Sequence, residues 1–252
     1  MVRTYGLIGF PLKHSFSAKF FTEKFAREGI DAEYLNFEIE DILQLREVIL
    51  FNQHLYGLNV TIPYKEKVIP FLDRITPEAE RIGAVNTIKI EREPRNMYFY
   101  RLTGYNTDYI GFKNSIEPLI RPELHRKALI LGTGGASKAV RAVFDEMHIG
   151  WKEVSRTAAA GRFTYGELDE AILREYTIIV NCSPVGTFPD VEVCPQVPYH
   201  LLTPAHLLYD LVYNPAETLF LKKGREQGAT VKNGAEMLEL QALAAWEIWG
   251  SK

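Results

Sequence analysis

Lys65 and Asp108 are the two side chains of this sequence best suited to move a proton. An aspartate beside a lysine orients it, and the surroundings tune its pKa; that combination suits proton transfer at an alcohol or ketone. Groups that bind hydroxyls or carboxylates stand at other element ends. They are Ser15 and Ser17 in "KHSFSAKFF", Asn59 and Thr61 in "LNVTIPYKEKVIPFL", Asn86 in "IGAVNTIKI" and Thr107 in "GYNTDYIGF". Gln241 lies among apolar neighbours in "LELQALAAW", where a half-buried amide needs partners. Several have a plainer alternative. Ser15 or Ser17 caps a helix, Asn86 serves a turn, and Asn106 or Thr107 caps the next helix with Asp108 favouring its dipole. Lys65 is harder to place. The run after Pro63 predicts a helix with Lys65 in its first turn, where acids are preferred to cations.

A second group of residues points to a nucleotide. In "ALILGTGGASKAV", Gly132, Gly134 and Gly135 follow a buried-type strand and open a helix. Gly132 permits a tight turn, Gly134 lets backbone approach a pyrophosphate, and the amides near Ala136 face that anion. A plain glycine turn is the alternative. An acid about 20 residues past the glycines would bind a ribose diol. Here that place holds Ser155, Arg156 and Thr157, a cation and two hydroxyls that fit a 2′-phosphate. The expected cofactor is NADP. A solvated strand-end arginine is the competing reading.

Two alternations of strand and helix must position these groups. The first runs "TYGLIGF", "SFSAKFFTEKFAREG", "AEYLNFEI", "DILQLREVILFNQ" and "GLNVTI". "TPEAERIGA" then reads as a short helix capped by Thr76 with Pro77 at its first position. "NTIKIE" and "MYFYRLTGY" read as an edge hairpin, and "NTDYIGFKNSIEPLI" as a long connecting helix. The second alternation runs from "KALILG" to the last helix, "GAEMLELQALAAWEIWG". The rhythm predicts an α/β protein of two lobes with a ligand cleft between them. An N-terminal α/β substrate domain (1–106 and 233–252) with a mostly parallel sheet accompanies a Rossmann-like NADP-binding domain (107–232).

Bulk properties narrow the class. The 252 residues are 46% hydrophobic and 24% charged with a net charge of −3, which gives no support for a nucleic-acid or membrane partner. Two cysteines, Cys182 and Cys194, suit a reducing cytoplasm. No run approaches the length of a membrane-spanning helix, and the six histidines show no metal-ligand spacing, so no metal is expected.

These ordered motifs, with "VNCSPVGTFP", "YDLVYNP" and "NGAEMLELQA", give the chain an end-to-end resemblance to the shikimate dehydrogenase family. The resemblance implies reversible NADPH-dependent reduction of 3-dehydroshikimate to shikimate in aromatic amino-acid biosynthesis, by a monomer or homodimer. Lys65 and Asp108 would be the catalytic pair. Ser15 and Ser17 would bind the substrate carboxylate, and Asn59, Thr61, Asn86, Asp108 and Gln241 its ring hydroxyls, with Thr107 and Tyr213 lining the pocket. Gly132, Gly134, Gly135 and Ala136 would hold the pyrophosphate, Ser155, Arg156 and Thr157 the ribose phosphate, and Gly234 and Met237 would lie near the nicotinamide. The family usually writes Asn-Arg-Thr where this chain has Ser155-Arg156-Thr157, and its second basic residue is Ala160 here, with Arg162 the nearest substitute. A quinate/shikimate dehydrogenase of broader range, or a non-catalytic binding homologue, is the alternative.

Overall fold

The computed structural model describes residues 2–12, 16–93 and 96–251. Ser15 therefore lies outside the described residues. The chain forms two compact units, Met1–Ile110 with Gln241–Lys252, and Gly111–Leu240.

The first unit alternates as expected: β1 (Arg3–Gly9), α1 (Phe16–Glu28), β2 (Ala32–Glu38), α2 (Leu45–Phe51) and β3 (Leu55–Val60). It continues with β4 (Arg74–Ile75), α3 (Pro77–Ile82), β5 (Thr87–Glu93), β6 (Asn96–Tyr105) and the start of α4 (Thr107–Ile116). The sheet runs β2-β1-β3-β5-β6-β4, with β1 parallel to both neighbours and β3, β5 and β6 antiparallel in turn. Because side chains alternate across a strand, β1 serves two cores. Ile8 joins Leu45, Ile49, Leu58 and Ile88 on one face, while Tyr5 and Leu7 join Phe21, Phe25 and Trp249 on the other. The Thr76 hydroxyl caps α3 by accepting from Ala79 N at 3.4 Å, as the sequence predicts.

Three local expectations change. Lys65 does not open an α-helix: residues 65–68 are turns, followed by the 3-10 turn Ile69–Phe71. Its cation therefore opposes no helix dipole. The β5–β6 hairpin is not the sheet edge, because the two-residue β4 pairs with β6 through Arg74↔Thr103 and Ile75↔Gly104. The connecting helix α4 stops at Ile116, where Pro118 interrupts the ladder and leaves the 3-10 turn Glu117–Leu119.

In the second unit β7 (Lys127–Leu131), α5 (Gly135–Glu146), β8 (Gly150–Ser155), β9 (Phe163–Thr164), α6 (Glu170–Glu175) and β10 (Ile178–Asn181) are followed by β11 (Leu207–Asp210), α7 (Leu219–Glu226), β12 (Thr230–Lys232) and the start of α8 (Ala235–Gly250). Its six strands are parallel in the order β12-β11-β10-β7-β8-β9. The strand order reverses between β7 and β10, the dinucleotide-binding arrangement whose ligand crevice lies beyond the strand ends at that reversal. β7 and β10 are buried almost throughout, which is why both read as unbroken apolar runs.

Candidate functional site

In the first unit a buried chain of amides and hydroxyls joins residues from five elements. Tyr34 on β2 donates to Asn59 Oδ1 at 2.8 Å, and Asn59 Nδ2 donates to Thr87 Oγ1 at 3.2 Å. Asn86 Nδ2 donates to Thr107 Oγ1 at 3.0 Å. Asn86 Oδ1 in turn accepts from the Thr107 amide at 2.7 Å and from the Thr87 hydroxyl at 3.2 Å. Thr107 Oγ1 donates to Gln241 Oε1 at 3.4 Å. Ser17 is half-buried in the first turn of α1, and its hydroxyl partly offsets the rise that burial imposes on the Tyr34 phenol. Thr61 follows β3, half-buried, with its amide on Ile8 O at 3.0 Å. Asn106, not Thr107, caps α4: its Oδ1 accepts from Tyr109 N at 3.1 Å. That leaves the Thr107 hydroxyl to the network.

Beside this chain, Lys65 Nζ donates to Asp108 Oδ2 at 2.7 Å. The side chains are 19% and 13% exposed, so the pair is sheltered yet reachable. Val85 N holds Lys65 O at 2.7 Å, which pins the turn bearing the lysine against the loop that ends in Asn86. Asp108 sits in the first turn of α4, where the dipole favours a carboxylate. The arrangement can deliver a proton to, or take one from, an oxygen held by the neighbouring amides.

In the second unit, Gly132 turns the chain off β7 with φ of +106°, a region that disfavours side chains. A Cβ added there would stand 3.4 Å from Ser183 N, on the loop after β10. Gly134 caps α5 with no side-chain hydrogen bond, and a Cβ at Gly134 or Gly135 would meet no atom within 4 Å. The start of this 12-residue helix thus opens onto free space, and its first amides, which have no intrahelical acceptor, suit an anion. At the end of β8, Arg156 and Thr157 are exposed, while the Ser155 hydroxyl turns back to Thr157 O. These residues fit a pyrophosphate and a ribose 2′-phosphate.

Gly234, Met237 and Tyr213, the remaining predicted residues, also belong to this unit. Gly234 donates its amide to Val212 O at 3.2 Å, and a Cβ there would lie 2.2 Å from Leu211 O. Met237 is buried in α8, and Tyr213 is 40% exposed after β11. Asp210, fully buried at the end of β11, accepts from Asn181 Nδ2 at 2.9 Å, Val212 N at 3.0 Å and Thr218 Oγ1 at 2.6 Å. Burial pushes its carboxyl up to about 6 against those three donors.

Residues 7–88 match the model of the shikimate dehydrogenase substrate binding domain. The chain is 38% identical to a shikimate dehydrogenase (NADP(+)) of Carboxydothermus hydrogenoformans, over 97% of this chain and 90% of that protein. This chain belongs to the shikimate dehydrogenase family. Among solved structures, the shikimate dehydrogenase of Aquifex aeolicus is 36% identical with a TM-score of 0.82, covering 99% of this chain and 92% of that one. The shikimate 5-dehydrogenase of Thermus thermophilus, solved with NADP(H) and shikimate, is 28% identical with a TM-score of 0.82, covering 99% and 94%.

Measured against the family's usual Asn-Arg-Thr run, the departures here acquire a structural context. Arg162, the nearest substitute for the missing second cation, has its Nε on Glu153 Oε2 at 2.5 Å. Glu153 also meets Arg141 at 3.2 Å and is 5% exposed. Two network members, Tyr34 and Thr87, are not marked out by the sequence. Tyr34 reads as an ordinary strand aromatic, and Thr87 as an ordinary strand residue. Among the described residues no three His, Cys, Asp or Glu side chains gather to hold a metal, and no helix is long and apolar enough to cross a membrane.

Proposed function

We propose that this chain catalyses the reversible reduction of 3-dehydroshikimate to shikimate with NADPH. The observation that carries the reading is the 2.7 Å Lys65–Asp108 pair beside a buried amide–hydroxyl network. Ser15 and Ser17 bind the substrate carboxylate. Asn59, Thr61, Asn86 and Gln241 hold its ring hydroxyls, and Thr107 and Tyr213 line the pocket. Residues 1–106 and 233–252 form the substrate domain, and 107–232 the cofactor domain.

NADPH, when bound, supplies the hydride that reduces the ketone carbon. Lys65 donates the proton to the oxygen as negative charge grows there, and its cation stabilises that charge before the proton moves. Asp108 orients the lysine and accepts from a neighbouring hydroxyl. In the oxidation direction Lys65 takes the hydroxyl proton. Gly132, Gly134, Gly135 and Ala136 hold the pyrophosphate, Ser155, Arg156 and Thr157 the 2′-phosphate, and Gly234 and Met237 flank the nicotinamide. Both described cysteines are free thiols, which fits a reducing cytoplasm.

A quinate-oxidising enzyme using NAD is the second reading. Arg156 and the absence of an acid at Ser155 favour NADP over it. The deciding experiment follows absorbance at the NADPH band with shikimate or quinate, each with NADP or NAD. Shikimate with NADP should turn over fastest. No turnover with that pair would reject the proposal, and faster turnover of quinate with NAD would move the chain to the second reading.

A further inference from the structure

Asn59 has four hydrogen-bonding capacities: two lone pairs on Oδ1 and two hydrogens on Nδ2. Its nitrogen faces Thr87 Oγ1 at 3.2 Å and the Asn86 carbonyl at 3.5 Å. A carbonyl can accept and never donate, so this neighbour fixes which end of the amide is nitrogen. On the other side Tyr34 donates its phenolic hydrogen to Oδ1 at 2.8 Å. Three of the four capacities are therefore taken within the protein. What remains is one lone pair on Oδ1.

The reach of Tyr34 has a geometric reason. β1 lies between β2 and β3 and pairs with both, so Tyr34 and Asn59 are separated by an intervening strand. Two inter-strand spacings come to roughly 9–10 Å, too far for serine or threonine and within the span of a tyrosine. Packing fixes the ring, which stacks on Phe21 at 4.8 Å and 12° and lies 6.5 Å from Trp249. Tyr34 and Asn59 are 7% and 4% exposed, so water does not compete for the bond. Burial also keeps the phenol protonated, and therefore a donor, throughout the neutral range.

We propose that Tyr34 is a positioning residue for substrate recognition, which locks the Asn59 amide so that it can only accept, and thereby selects a ligand hydroxyl that donates. The inference rests on the reading of Asn59 as a substrate-binding residue. It adds the chemical sense of that contact: a ring hydroxyl gives its hydrogen to Asn59, and a ketone or ether oxygen at the same place finds no donor there. Without the Tyr34 hydroxyl the amide loses its clamp and must be ordered by the substrate itself.

The test is a double-mutant cycle on the full chain, with steady-state KM for shikimate and for NADP measured separately. Tyr34→Phe keeps the stacked ring and removes one oxygen. It should raise the shikimate KM about tenfold, shift kcat by less than about threefold and leave the NADP KM within about twofold. In an Asn59→Ala background the same change should add no more than about twofold. Thermal melting of each variant checks that the fold is kept, and Tyr34→His serves as a second probe of the lost clamp should Tyr34→Phe melt early. An unchanged shikimate KM would overturn the proposal, as would a parallel rise in the NADP KM or a full tenfold effect persisting without Asn59. A wild-type chain inert towards shikimate would overturn the reading of function beneath it, and is seen before any variant is made.

Discussion

Glu153 and Arg162 face each other across the neighbouring parallel strands β8 and β9, one residue before the Val154↔Phe163 pair, with Arg162 Nε 2.5 Å from a nearly buried carboxylate. The contact explains how a Rossmann strand tolerates an acid inside: two guanidiniums, from Arg141 and Arg162, meet it. It also commits Arg162 to a structural partner and leaves Arg156 as the exposed cation of that strand end.

Arg156→Ala should therefore weaken NADPH binding at least about tenfold and leave NADH binding nearly unchanged, since only NADPH carries the 2′-phosphate. Fluorescence titration with each nucleotide measures this directly. Equal weakening of both would show that Arg156 does not read the phosphate. Arg162→Ala should instead lower the melting temperature, because it strips one of two partners from buried Glu153.

Lys65→Ala should lower kcat at least about a hundredfold, with a smaller change in KM for shikimate. Stopped-flow or steady-state turnover at saturating substrate reads it. Near-normal kcat would remove the lysine from the chemistry, whatever its distance from Asp108.

The buried Asp210 should give the second unit a stability slope of known sign. Its carboxyl titrates at about 6 when folded, above its ordinary value, so the folded state holds the proton more tightly than the unfolded one. The stabilisation is present below the ordinary value and lost as pH rises towards about 6; above that it is flat. Asp210→Asn keeps an acceptor for Asn181 and Val212 and can donate to Thr218 Oγ1. Urea unfolding at pH 4.5 and pH 7 should show the variant gaining relative to wild type at the higher pH, by roughly 1–3 kcal/mol.

His125 and His206 should impose the opposite slope. Burial lowers both pKa values below the ordinary histidine value. In each ring Nδ1 accepts a backbone amide, from Arg121 at 2.9 Å and from Thr203 at 3.0 Å, while Nε2 lies against a carbonyl. Protonating Nδ1 destroys that acceptor. Stability present above the ordinary value is thus lost as pH falls through the lowered one. Hydrogen exchange at pH 7.5 and pH 5 should show segments 121–125 and 203–206 losing protection first at the acid end.

Periodicity and caps carried most of this fold into the sequence. The unbroken apolar runs of β7 and β10, the Thr76-Pro77 start of α3 and the glycine turn after β7 all express rules local to a few residues. Lys65 was misplaced because a turn closed by Val85 N→Lys65 O depends on a residue 20 positions away. β4 and β9, two residues each, are too short to show a period. At the site, Lys65 and Asp108 were legible because their chemistry is uncommon in a strand-end turn and a helix start. Tyr34 was not, since an aromatic on a strand is ordinarily explained by packing. Its function is visible only once β1 is seen to separate it from Asn59.

The indole of Trp249 donates to Ile88 O at 3.0 Å and stacks on Tyr5 at 4.9 Å, and a Cβ at Gly57 would collide with it at 2.2 Å from Nε1. Lys89 Nζ reaches Ser251 O at 2.5 Å a little further on. On the ribosome, the first sheet is made early and its covering helix late, after all of Gly111–Leu240 has emerged. Until that helix is made, Tyr5, Phe21 and Phe25 lack the Trp246 and Trp249 rings that pack on them. The unit whose sheet is synthesised first thus depends for the cover of its aromatic core on the helix synthesised last.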